Sequence, residues 1–294
     1  MSAAKAALRF MPAVFVLIWS TGFIVARFGM PHAPPMKFLA LRYSFSALAF
    51  GIWVLAAKVR WPQGRAQWAH LALTGILMHA VYLGGVWTAV KLGMGAGLSS
   101  LLVGLQPMIT AMWLSARGHS VTRWQWLGLA MGLGGLLMVV WGKLGHGEVT
   151  TGSLMACMFA LAAITVGTLY QKRFVAPCDV RSANLVQLLA ALAVTLPLAL
   201  METEAVQPTG EMIGALAWSV LGLTLGGSSL LYLLIQRGAA TQVTSLLYLV
   251  PPTTALMAWV LFGEAITPLT VAGIALTALG VSLVVRQPKP AAAG

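Results

Sequence analysis

The sequence predicts an all-α integral membrane protein, with ten transmembrane helices in two inverted five-helix repeats around a central cavity. Three observations predict it. First, the 294-residue chain is 59% hydrophobic and 8% charged, with a mean hydropathy of +0.88. A soluble domain carries roughly 25% charged residues, so this chain cannot surround a core of its size with a charged shell. Second, its apolar residues fall in runs of about 20, the length that crosses a bilayer as a helix. Third, the chain resembles itself at half its length.

The runs lie at 10–28, 37–57, 68–90, 94–115, 122–142, 151–171, 183–200, 212–235, 240–262 and 267–286. None alternates with period two, which argues against strands. The first run follows Lys5 and Arg9 and so imitates a secretion signal. It is long, however, and no small-residue cleavage pattern follows it, so it reads as the first span. Polar breaks between the other runs are short.

With the N-terminus placed inside, the basic residues sort by side. Lys5, Arg9, Lys58, Arg60, Arg65, Arg117, Arg123, Lys172, Arg173, Arg181, Arg237, Arg286 and Lys289 fall in cytoplasmic segments. Arg27, Lys37, Lys91 and Lys143 fall outside, with Arg42 just within the second span. Five of the six acidic residues (Glu148, Glu202, Glu204, Glu211 and Glu264) also fall outside, and Asp179 inside. The excess of inner Lys and Arg puts both termini in the cytoplasm of a cell inner membrane. The net charge of +12 then faces cytoplasm and anionic headgroups rather than nucleic acid. Most tryptophans gather at span ends as interfacial belts, but Trp19 sits near the middle of the first span. Cys157 lies in an apolar run and Cys178 in a polar loop, without metal-ligand spacing. No cofactor or metal is expected.

At a shift of 145, Ser100-Leu101-Leu102 meets Ser245-Leu246-Leu247, Pro107 meets Pro252, and Gly128 and Gly135 meet Gly273 and Gly280. Thr122 meets Thr267, and Val139-Val140 meets Val284-Val285. Two units follow, 10–142 and 151–286. Each holds five spans, an odd number, so the units enter the membrane in opposite directions. That is the arrangement of many secondary transporters, whose site lies at the midplane between repeats.

Several motifs carry a family likeness. Trp19-Ser20-Thr21-Gly22-Phe23, the stretch from Ala89 to Gln106-Pro107, and Phe262-Gly263-Glu264 followed by Gly273 and Gly280 resemble the repeats of EamA-type proteins. These belong to the drug/metabolite transporter superfamily, which includes YddG-like exporters of amino acids, aromatic ones especially. His119 stands where Glu264 stands in the second half, a departure from the pattern. The resemblance implies a ten-helix basket with a central cavity and leaves the cargo open.

The candidate substrate residues come from the span interiors. Pro107, Pro251 and Pro252 each remove a helix hydrogen bond and mark either a kinked cavity wall or a packing kink. Ser99, Gln106 and Thr110 share a face with Val103, and Thr244 and Tyr248 lie on the matching face of the other half. His79 and Tyr82 share a face of the third span. His79 either meets a substrate carboxylate, changes charge near neutral pH, or is packed between helices. Trp19 and Tyr248 either stack on an aromatic substrate or pack. Thr165 and Thr168 in the sixth span, and Ser228 and Tyr232 in the eighth, are further wall candidates.

No Asp or Glu lies in any span centre, where proton-driven transporters carry such groups. The expectation is therefore alternating access by facilitated diffusion, with proton-coupled antiport as the alternative. A channel or a membrane enzyme is the competing class. The sequence offers no HExxH or GxSxG, and His79 has no acidic partner nearby in sequence, so no enzyme is expected. The glycines of the fifth and tenth spans mark close helix packing, within a monomer or in a weak homodimer. The expected partners are a small-molecule substrate and the lipid bilayer.

Overall fold

Without water, a chain in lipid must satisfy its backbone polar groups internally, and helices do this within one segment. The computed structural model describes residues 3–117, 122–143, 149–227, 229–230 and 249–285. Among these residues the structure is helical and has no strand. The helices are α1 (Ala3–Gly29), α2 (Pro35–Ala56), α3 (Arg65–Lys91), α4 (Ala96–Val103 and Gln106–Ala116), α5 (Arg123–Lys143), α6 (Thr151–Phe174), α7 (Val180–Met201), α8 (Gly210–Trp218, continued by Ser219–Gly227), α9 (Val250–Phe262) and α10 (Pro268–Val285). Six of them, α2 to α7, are long and apolar enough to cross a membrane. The apolar stretches of α1, α9 and α10 are shorter.

Local chemistry sets the helix starts. Pro35 occupies the first turn of α2, where its missing N–H costs nothing. Thr150 and Ser153 form a reciprocal capping box at α6. Asp179 caps α7 through the Arg181 amide, and the Arg181 side chain holds its carboxyl below the usual carboxylate range. Thr209 caps α8 at Met212. The break inside α4 falls at Gly104-Leu105, just before Pro107, where a proline cannot donate to the preceding turn.

The interior is closely packed around Phe38, Leu39, Tyr43, Trp87, Leu98 and Leu101, each at most 1% exposed. The rings of Phe38 and Trp87 lie 4.4 Å apart. Large apolar side chains such as Leu48, Ile52, Leu137, Phe159 and Val260 point outward instead, as a lipid-facing surface requires.

Helix α2 packs on α7, α3 on α6, α4 on α9, α5 on α10, and α1 on both α8 and α9. The α5–α10 seam is a close one along its length. Gly128 lies against Gly280, and Gly135 against Gly273. Low numbers meet high ones, so the two helices run in opposite directions. The small-residue stripes are thus consumed within one chain.

Candidate functional site

Two groups of polar side chains and one aromatic position bear on the candidate site. The first cluster centres on Arg42, seven residues into α2 and so about 10 Å along its axis. Arg42 is 9% exposed. Its Nη2 donates to Thr224 Oγ1 at 3.3 Å, and its Nε has no partner. Next to it, the Tyr43 hydroxyl donates to the His79 carbonyl at 2.9 Å, and the Tyr43 ring stands edge-on to the His79 ring with centroids 6.2 Å apart. Gln187 of α7, 7% exposed, lies on the helix that packs against the Ile76–Val81 stretch carrying His79.

His79 and Thr224 each lie in a π-helical stretch, Ile76–Val81 in α3 and Ser219–Gly227 in α8. Such wide turns re-aim side chains and recur at functional sites. The same shift of 145 that aligns the glycines maps Arg42 onto Gln187 and His79 onto Thr224. The Arg42–Thr224 bond therefore joins one position of the first half to the counterpart of His79 in the second.

The second cluster joins α4 and α6. Gln106 Nε2 donates to Thr168 Oγ1 at 2.9 Å, and Thr168 in turn donates to the Ile164 carbonyl at 2.7 Å. Thr110 donates to the Gln106 carbonyl at 2.9 Å. Two other candidates turn inward on their own helices. Ser99 is fully buried and donates to Gly95 O; Thr165, 3% exposed, donates to Leu161 O. Cys157 Sγ approaches the Ser99 carbonyl at 3.9 Å, so that part of α4 packs on α6.

Trp19 is 38% exposed and tilts on Phe15, centroids 5.3 Å apart. Its neighbour Thr21 accepts from Trp218 Nε1 at 2.8 Å, tying α1 to α8. Pro251 and Pro252 sit in the first turn of α9 as described. Ser228, Tyr232, Thr244 and Tyr248 lie outside the described residues. The structure thus sets His79 beside Tyr43, and brings Gln106, Thr110 and Thr168 together.

Sequence reading passed over Arg42, Tyr43, Gln187 and Thr224. Arg42 was counted only as a charge near an outer loop. The repeat shift, carried to polar positions, would have paired Arg42 with Gln187 and His79 with Thr224. Among the described residues no group of three or more His, Cys, Asp or Glu could hold a metal, and both cysteines are free.

Comparison with known proteins agrees with this architecture. The chain is 24% identical over 273 residues to an uncharacterized inner membrane transporter, YedA, of Escherichia coli (strain K12), covering 91% of this chain and 87% of that one. It is 25% identical to a probable amino-acid metabolite efflux pump of Salmonella typhimurium, covering 92% of each chain. It is 26% identical to a probable terminal-alkyne amino-acid exporter of Streptantibioticus cattleyicolor, over 92% of this chain and 91% of that one. A crystal structure of another protein shares the fold, with a TM-score of 0.66 at 18% identity over 95% of this chain and 97% of the other. The profile of the EamA-like transporter family matches twice, at residues 10–141 and 151–286, and the chain belongs to that family.

Proposed function

We propose that this protein exports small amino-acid-like metabolites, aromatic ones among them, across the cell inner membrane by alternating access. In this reading ten spans form two inverted units, 10–142 and 151–286, that rock about a central cavity, with both termini cytoplasmic. The observation that carries it is the reciprocity of the contacts. Gly128–Gly280 and Gly135–Gly273 relate equivalent positions with the halves exchanged. Two copies with opposite sense supply two conformations of nearly equal energy, which alternating access needs. The names of the relatives, an efflux pump and an exporter of amino-acid compounds, support the cargo class.

Transport is uncoupled in this reading, because all six acidic residues lie outside the apolar runs and proton relays in membranes are built on such groups. Purified protein in liposomes should exchange labelled L-phenylalanine for unlabelled. An imposed pH gradient should not concentrate it. Uphill accumulation would show proton-coupled antiport instead, and flux insensitive to trans substrate would show a channel.

His79 is the second test. His79→Ala should slow exchange by about tenfold or more and remove the ring that stands edge-on to Tyr43, at about 0.5–3 kcal/mol of stability. His79→Asn should restore part of the stability but not the flux. Full flux in the alanine variant would make His79 a packing residue.

A further inference from the structure

The Arg42 guanidinium is a buried cation without an acidic partner among the described residues, and the sequence keeps every acidic residue out of the apolar runs. A charge held within membrane-spanning helices is costly unless something opposes it. Arginine offers five N–H donors. The described structure uses one, at 3.3 Å, which is long for an N–H···O bond. Around it, further polar atoms stand idle: Arg42 Nε itself, Ser46 Oγ one turn along α2, and Ser219 Oγ on the π segment that also presents Thr224. Helices α2 and α8 pack against each other, so these donors belong to one seam.

The fold alone does not call for the charge. At the equivalent place in the other half stands a neutral amide, Gln187, itself buried at 7% exposure. A cation at 42 in place of an amide adds little to packing and a great deal to the electrostatics. What it adds is recognition of an anion of carboxylate shape, which a guanidinium meets with two parallel hydrogen bonds. The unpartnered Ser46 and Ser219 hydroxyls of the same seam can donate to the remaining lone pairs, the Thr224 proton being given to the Ser219 carbonyl at 2.8 Å.

We propose that Arg42 anchors the carboxylate of the transported molecule, so that the site takes free amino acids and related carboxylates and discriminates against their amides and amines. This rests on the export reading above and names the chemical group that the site selects. The cargo's carboxylate would neutralise the cation only while bound, so the empty site pays for an exposed need and the loaded site does not.

The experiment is counterflow in liposomes with L-phenylalanine, L-phenylalaninamide and phenethylamine, using the wild type, Arg42→Lys and Arg42→Gln. The wild type should move the acid at least about tenfold faster than the amide, the discrimination expected when one charge-assisted pair is lost. Arg42→Gln, which copies the residue already tolerated at 187, should lose that preference while amide flux persists. Arg42→Lys, which keeps the charge but not the fork, should fall between. Equal wild-type flux of acid and amide overturns the proposal, whether or not the variants fold. An unchanged preference in a folded Arg42→Gln protein overturns it too, with export left standing. No exchange of any probe by the wild type removes the export reading itself, and this proposal with it.

Discussion

Gly135→Leu is expected to leave almost no folded protein, and Gly135→Ala to lower stability by about 1–3 kcal/mol, the usual range for overpacking a tight contact. A Cβ at position 135 would fall on the backbone carbonyl of Gly273 and within 2.8 Å of the Thr277 amide nitrogen. Those are backbone atoms, so no rotamer change relieves the clash and α5 must part from α10. Parting also strains the Thr277 hydroxyl, which donates to Gly273 O at 2.8 Å and to Gly132 O at 3.3 Å across the seam. Gly128 faces Gly280 in the same way, so Gly128→Ala should cost a similar amount. The comparison is Gly51→Ala in α2, where a Cβ meets nothing within 4 Å. That change should be neutral or gain up to about 1 kcal/mol from helix propensity. Thermal melts in detergent, read by loss of the monodisperse peak, decide the matter. A Gly135→Ala melt at or above the wild type would show that the seam relaxes without cost.

The glycine seam was open to sequence reading because it combines two independent signals, small residues at helical spacing and their recurrence at one shift. The Arg42 cluster was not, and the reason is physical. An arginine seven residues into a span looks like a displaced loop charge, since topology rules count charges and ignore what they touch. The π stretches were equally hidden: Ile76–Val81 is apolar but for His79, and a wide turn is chosen by the packing around it. Ser99 and Thr165 find their partners locally. A polar face on a lipid-embedded helix looks like a cavity wall, yet a hydroxyl can donate to the carbonyl four residues back and need nothing else. Both do so here. Gln106 and Thr168 instead reach each other between helices.

Glu264→Ala is expected to loosen the start of α4 and lower stability by about 0.5–2 kcal/mol, the cost of removing a helix cap. The Gly-Glu pair that signals the family from sequence has a mechanical explanation. Helix α9 ends at Gly263, whose φ of 65° is open to glycine at little cost. That turn sends Glu264 across to α4, where Oε1 accepts from the Ala96 N–H at 2.8 Å and Oε2 from the Gly97 N–H at 3.3 Å. The carboxylate satisfies two orphan donors and meets the positive end of the helix dipole. Glu202, at the end of α7, does the same for α2, accepting from Met36 and Lys37 at 3.0 and 2.8 Å. In both cases a carboxylate from the second half caps a helix of the first, so the caps also hold the halves together at one end. Glu264→Gln keeps an acceptor and should lose less than the alanine variant. Because the two caps act on different helices, Glu202→Ala and Glu264→Ala should add within about 0.5 kcal/mol. Amide exchange at residues 96–99 gives the local reading. Faster exchange there in Glu264→Ala, with the α2 start unchanged, is the signature of a cap. If melting and exchange stay at wild-type values while transport falls, the carboxylate acts in the moving step and the capping account is wrong.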